Sequence, residues 1–143
     1  MSKRNEWVLN LGIFVLVSLL SLGAAETVVR FFFKPMDFLL PVLVEDPVYR
    51  YRIRAGSAGH DSNGFRNENV PESVDIVTIG DSQTYGTLVP HRDAWPAVLQ
   101  NLTGKSVYNM ALGGYGPAQY YQLLIQKALP MHPKIIIFNF YLG

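Results

Sequence analysis

From Trp7 to Ala25 the chain reads WVLNLGIFVLVSLLSLGAA, nineteen residues without a charge. Few fates are open to such a run. As a helix it spans about 28 Å at 1.5 Å per residue, close to the ~30 Å hydrocarbon core of a bilayer. Lys3 and Arg4 precede it, and Glu26, Arg30 and Lys34 follow. Trp7 stands where an interfacial aromatic is expected, and the short basic N-terminus favours the cytoplasmic side. Gly23-Ala24-Ala25 before Glu26 also fits a signal-peptidase site. Against cleavage, the apolar run stretches past a usual signal core. Its pattern continues through Thr27-Val28-Val29-Arg30-Phe31-Phe32-Phe33 until Lys34-Pro35 stops the helix. The expectation is a single-pass anchor within residues 1–34, N-terminus cytoplasmic, with everything after it periplasmic or extracellular.

Composition follows from that run. Apolar residues make up 49% of the chain and charged residues 16%, which excludes a highly charged disordered polymer. With 143 residues there is room for one domain besides the anchor. A net charge of +1 gives no case for a nucleic-acid partner. Cysteine is absent, so there is no thiolate metal site and no cysteine nucleophile. No set of carboxylates and histidines has metal-ligand spacing, and no cofactor is expected.

Residues 35–60 read as a linker followed by a basic strand. Pro35, Pro41 and Pro47 argue for an extended connector. Tyr49-Arg50-Tyr51-Arg52-Ile53-Arg54 then alternates with period two, placing three arginines on one face and apolar side chains on the other. That face is either solvated or a cationic strip for an anionic polymer or headgroup. Asp61-Ser62-Asn63-Gly64-Phe65-Arg66 reads as a turn, with Asn63-Gly64 at the positive-φ positions and Phe65 tucked towards a core. Arg66 is expected as an ion-pair partner.

Residues 61–143 alternate strand and helix. Val74–Ile79 is a β-branched run stopped by Gly80-Asp81. Asp93 is placed to cap a helix through Ala94–Asn101, with Pro96 in its first turn. Ser106–Asn109 is a second, weaker strand. Pro117 opens a helix in which Tyr121, Leu124, Ile125 and Ala128 share a face, and Pro130 and Pro133 end it. Lys134–Phe140 reads as an apolar strand after its lysine, Asn139 apart, as in a strand covered on both faces. The order predicts an α/β fold, a parallel sheet flanked by helices of flavodoxin-like type, preceded by one transmembrane helix. An uncharged edge at the last strand predicts poor solubility for residues 45–143 alone.

In open α/β sheets ligands gather outside the carboxyl ends of the strands. Three segments fall there: Gly80-Asp81-Ser82 after the first strand, Asn109–Gly116 after the second, and Tyr141-Leu142-Gly143 after the third. A serine just past a buried strand can lift its hydroxyl into a cleft, where backbone N–H groups meet a developing oxyanion. Glycines in the second loop let another N–H approach the same point. Taken alone, Gly-Asp-Ser is also ordinary turn chemistry.

Taken in order, these blocks resemble the SGNH (GDSL-type) hydrolase family, in its exported, membrane-anchored branch, over roughly residues 60–143. Gly80-Asp81-Ser82 is similar to the first block, Asn109–Gly116 to the second, and Phe138–Gly143 to the approach to the third. Asp61–Arg66 resembles the segment that precedes the first block in anchored members. The resemblance implies Ser82 as catalytic nucleophile, with its own N–H and that of Gly114 (or, as a second choice, Gly113) forming the oxyanion hole. Gly80 and Asp81 would be structural members of the motif.

The family's triad acid and base come from a late Asp-x-x-His block. His60, His91 and His132 follow Ser57, Leu88 and Leu129 at that spacing, so none matches it. The third-block asparagine is not reached before Gly143. The expectation is therefore the N-terminal portion of a longer enzyme, inactive as these 143 residues. The complete product would be an esterase or O-acyltransferase acting through an acyl-enzyme on Ser82, with an acylated envelope carbohydrate as the substrate class the resemblance implies. The other function the sequence admits is a non-catalytic, membrane-anchored binding or assembly protein with a degenerate SGNH fold.

Two further motifs fail on inspection. Gly104-Lys105-Ser106 would end a phosphate-binding loop, but Leu99 stands where its first glycine is required. Gly114-Tyr115-Gly116 would open a dinucleotide fingerprint, but Gln119 holds the third glycine's place.

Overall fold

The computed structural model describes residues 3–33, 37 and 40–141, and it divides the chain into two compact units, Met1–Lys34 and Pro35–Gly143. In the first unit, helix α1 runs over Lys3–Phe32 and is long and apolar enough to cross a membrane. Its apolar side chains lie open on every side; Trp7, Phe14 and Leu22 are each more than two-thirds exposed. A helix apolar all round needs an apolar surrounding, and nothing in its own unit supplies one. Glu26 and Arg30 form an i,i+4 ion pair at 2.7 Å near its C-terminal end.

The second unit begins with an antiparallel hairpin, β1 (Leu43–Asp46) and β2 (Arg50–Ile53), in register from Leu43↔Ile53 to Asp46↔Arg50. The prolines do not stop a strand from forming here, because Pro47 falls in the turn. The Asp46 carboxylate closes that turn by accepting the Val48 and Tyr49 N–H groups, both at 2.9 Å. These bonds, with Arg52 at 3.2 Å, hold the Asp46 pKa below its ordinary value. The alternation read from the sequence is present: Arg50 and Arg52 are exposed, while Ile53 is buried. Tyr49 and Ile53 belong to the same apolar core as the sheet that follows.

That sheet is parallel and three-stranded, in the order β4-β3-β5: Val107–Asn109, Ile76–Ile79 and Ile135–Phe138. The central strand β3 is buried at all four positions, as its β-branched sequence predicts. Between β3 and β4 lie the one-turn helix α2 (Ser82–Tyr85) and α3 (Trp95–Thr103). Between β4 and β5 lies α4 (Pro117–Leu123), prolonged by a π turn over Leu124–Ala128 and a 3-10 turn over Leu129–Met131. The mixed α/β class and the parallel sheet agree with the sequence reading.

At the amino ends of the strands Asp75 ties all three together. Its carboxylate accepts from Ser106 N–H at 3.1 Å and from Lys134 Nζ at 2.7 Å. These bonds, that of Lys134 first, lower the Asp75 pKa to about 2.

Three local expectations are corrected. Asp93 does not cap α3; it ends a 3-10 turn over His91–Asp93, and Ala94 is the N-cap, without a side-chain bond. The buried face of α4 is set by Tyr120, Leu123 and Ala128, while Tyr121 and Ile125 are 59% and 40% exposed. The π turn accounts for the five-residue step from Leu123 to Ala128, and adjacent tyrosines give a periodicity count no means of choosing between them. β5 is not covered on both faces: Ile135 and Phe138 are exposed at this edge of the sheet.

Candidate active site

Gly80 ends β3 and lets the chain turn sharply. A Cβ there would fall inside the Thr84 side chain, so α2 is able to fold back directly over the strand end. Asp81 is the N-cap of α2, and its carboxylate accepts the Gln83 N–H at 2.9 Å. Ser82 is the first residue of that turn and is half-buried. Its hydroxyl makes no hydrogen bond among the described residues.

The loop after β4 arrives beside it. Met110 N–H donates to the Thr78 carbonyl at 2.8 Å and Leu112 N–H to that of Gly80 at 3.3 Å, so the two loops leave the sheet side by side. Leu112-Gly113-Gly114-Tyr115 then forms a turn closed by Tyr115 N–H to the Leu112 carbonyl at 3.1 Å. Its third residue, Gly114, has φ +83°, a left-handed value that a side chain would strain. Gly113 lies against Ser82: a Cβ on Gly113 would be 3.5 Å from the Ser82 Cβ. Neither the Gly113 nor the Gly114 N–H is spent on a backbone carbonyl among the described residues. Thus Ser82 and the Gly113–Gly114 turn, separated in sequence, share one end of the sheet.

A buried polar scaffold holds these loops, and most of its members escaped sequence reasoning. Thr84 is fully buried and joins all three strand ends. Its carbonyl accepts Asn109 Nδ2 at 2.8 Å, and its hydroxyl accepts Asn139 Nδ2, from just past β5, at 3.0 Å. Asn109 Oδ1 also accepts from Ala111 N–H at 3.1 Å and from the Thr78 hydroxyl at 3.3 Å. Asn67 pairs with the Asn109 backbone in both directions, each bond 3.0 Å.

Asp61 supports Asn67 in turn. One oxygen accepts the Asn63 and Phe65 N–H groups at 2.8 and 3.0 Å; the other accepts the Tyr108 hydroxyl at 2.8 Å and Asn67 Nδ2 at 3.2 Å. Burial, helped by the nearby Asp61, pushes the Tyr108 phenol pKa far above its ordinary value. The turn read at 61–66 is present with Gly64 at φ +84° and Phe65 buried; Asn63 itself has no positive φ.

Arg66 is buried and does more than pair with a carboxylate. Its guanidinium donates to the carbonyls of Tyr85, Gly86 and Val89 at 3.3, 2.6 and 3.0 Å, lies over the Tyr85 ring, and has Asp37 at 3.7 Å. It thereby fixes the exit of the Ser82 turn.

No histidine bonds to Ser82. The His60 ring lies between the Tyr85 hydroxyl, 2.9 Å from Nε2, and the Ala58 carbonyl, 3.2 Å from Nδ1, and burial lowers its pKa. His91 N–H meets the Asp37 carboxylate, and His132 closes the turn that leads into the amino end of β5. Among the described residues no group of three or more His, Asp or Glu side chains is placed to hold a metal ion. A cleft of about 310 Å³ lies between the hairpin and α4, walled by Tyr49, Ile53, Phe65 and Tyr115; Ser82 does not line it.

This arrangement offers a free hydroxyl with unspent backbone N–H groups beside it, the parts from which nucleophile and oxyanion hole are made, and among the described residues no histidine is bonded to that hydroxyl. Compared with family models, curated proteins and solved structures, the chain returns no match.

Proposed function

We propose that this chain is the N-terminal portion of a membrane-anchored serine hydrolase or acyltransferase of SGNH type, with Ser82 as its nucleophile. The observation that carries the proposal is the apposition of Gly113 to Ser82 across the carboxyl ends of β3 and β4, with the Gly113 and Gly114 N–H groups unspent among the described residues. The strand order adds support. With β3 between β4 and β5, the crossover from β3 runs to one side and that from β4 returns past it to the other, so the strand order reverses at β3, and open α/β sheets gather ligands at the carboxyl end of such a strand.

Ser82 Oγ attacks the ester carbonyl, giving up its proton to a base as the C–O bond forms. The N–H groups of Ser82 and Gly114 take the negative charge of the tetrahedral intermediate, with Gly113 the alternative donor. The intermediate collapses by breaking the bond to the alcohol, which leaves with that proton. Water or a sugar hydroxyl then attacks the acyl-enzyme and regenerates Ser82. The base belongs to the late Asp-x-x-His block of this type of enzyme, which His60, His91 and His132 do not match. The substrate class is an O-acylated carbohydrate of the cell envelope, an assignment made by family analogy. The N-terminus is cytoplasmic and the sheet domain lies outside, from Lys3 and Arg4 ahead of the uncharged run that begins at Trp7.

In the complete gene product, Ser82→Ala abolishes p-nitrophenyl acetate turnover while the far-ultraviolet spectrum and melting temperature stay as they were. Turnover that survives the substitution removes Ser82 as nucleophile. The 143-residue chain on its own is expected to hydrolyse the ester no faster than its Ser82→Ala counterpart. The lack of any histidine bonded to Ser82 also favours a second reading, an anchored binding protein that keeps the sheet without the chemistry. A complete gene product that carries no base block would establish that second reading.

A further inference from the structure

The peptide unit joining Gly113 to Gly114 is gripped by the β1–β2 hairpin. The Tyr51 hydroxyl donates to the Gly113 carbonyl at 3.1 Å. The Tyr115 hydroxyl donates back to the Tyr51 carbonyl at 2.8 Å, and the two rings lie tilted with centroids 5.6 Å apart. Hairpin and turn therefore hold each other at both ends of this contact. A Cβ on Gly114 would collide with the Tyr51 hydroxyl, so that hydroxyl fills space left only by a glycine at φ +83°.

A peptide unit is planar, and no cis bond occurs among the described residues, so the Gly113 carbonyl and the Gly114 N–H point in opposite directions. Fixing the carbonyl on the hairpin aims that N–H away from the hairpin. Donation to the carbonyl also polarises the peptide and strengthens the N–H as a donor. Ser82 lies against the same turn, its Cβ 3.5 Å from where a Cβ on Gly113 would stand.

We infer that Tyr51 is a positioning residue: acting through the Gly113 carbonyl, its hydroxyl orients the Gly114 N–H as an oxyanion donor beside Ser82. The inference rests on the hydrolase proposal for the identity of the anion, an ester-derived oxyanion. The orientation itself is a property of the hairpin and the turn.

The test uses the only Gly–Gly bond among the chain's 12 glycines. The full chain is prepared in detergent micelles with carbon-13 at the glycine carbonyl and nitrogen-15 at the glycine amide. A carbonyl-to-amide correlation spectrum then contains a single peak, from Gly113 and Gly114. Tyr51→Phe keeps the ring and removes the hydroxyl. It is expected to shift that peak in its carbonyl, nitrogen and proton dimensions, while the amide signals of Gly12, Gly23 and Gly104 stay in place. Tyr115→Phe, which keeps the Tyr51 hydroxyl but loosens its strand, is expected to shift the peak less and in the same direction. A peak that stays put in both folded variants overturns the inference. The readout needs no turnover. A Ser82→Ala enzyme as active as the parent would therefore sink the hydrolase proposal without being mistaken for a failure of Tyr51.

Discussion

Asn109 and Thr84 show how few side chains define this site. Each is buried with its polar atoms bonded, and together they join the loop after β3 to those after β4 and β5. Leaving a buried donor or acceptor without a partner costs about 1–3 kcal/mol, so the network tolerates little editing. His60 adds a pH dependence. Burial holds its pKa below the ordinary 6.5, so the unfolded chain binds the proton more readily than the folded one. The stabilisation is whole above pH 6.5 and is lost as pH falls through the lower, folded value. The urea midpoint of the sheet domain is therefore expected to decline between pH 7 and 5, and His60→Gln to flatten that decline. Loss from Asp75 belongs to a separate, more acid window, between its ordinary 3.8 and about 2. Tyr51, Gly64, Phe65 and Ser82 could all be singled out from neighbouring residues. Asn67, Thr84 and Asn139 could not, because an asparagine or threonine carries no mark of the distant partner its side chain will meet.

Among the strands of the parallel sheet, β5 is the exposed one. Ile135, Phe138, Phe140 and Tyr141 are each more than a third exposed at and beyond this edge, and Phe138 stacks on Phe140 with centroids 6.1 Å apart. An apolar edge strand is a template for pairing with other chains. Residues 40–143 expressed alone are expected to self-associate with rising concentration, as sedimentation velocity would show. Phe138→Lys with Phe140→Lys should return the sample to monomer without lowering its melting temperature by more than a few degrees. An unchanged sedimentation profile would clear β5 of that role. β3 and β5 were legible because β-branched runs bounded by glycine, proline and aspartate admit little else; β1 was not, because Pro41 and Pro47 flank it and read as a connector. The phase of α4 was not legible, because a π turn shifts a helical face without leaving a trace in composition.

For the whole molecule, α1 is the one helix among the described residues long and apolar enough to cross a membrane. Its middle contains no charge from Trp7 to Ala25, and an arginine at the centre of a spanning helix costs about 2.5–3.5 kcal/mol of insertion free energy. Leu16→Arg is expected to move a large share of the protein from the carbonate-resistant membrane pellet to the soluble or aggregated fraction. A pellet fraction equal to that of the parent would show that α1 is not what holds the chain there.

The apolar helix, the alternation of strand and helix, the positions of Ser82 and of the glycine pair, and the mismatch of all three histidines with a base motif could be read without coordinates. Each depends on periodicity, composition or spacing between near neighbours, which the linear order of residues carries directly. Other features exist only in the folded chain. The hairpin's contact with the Gly113–Gly114 turn, the polar clamp from Asp61 to Asn109, the burial of Arg66 against three carbonyls and the exposure of β5 all join residues far apart in sequence. Such pairings are chosen by the closure of the whole core and by the need of every buried polar group for a partner. No local pattern encodes that choice.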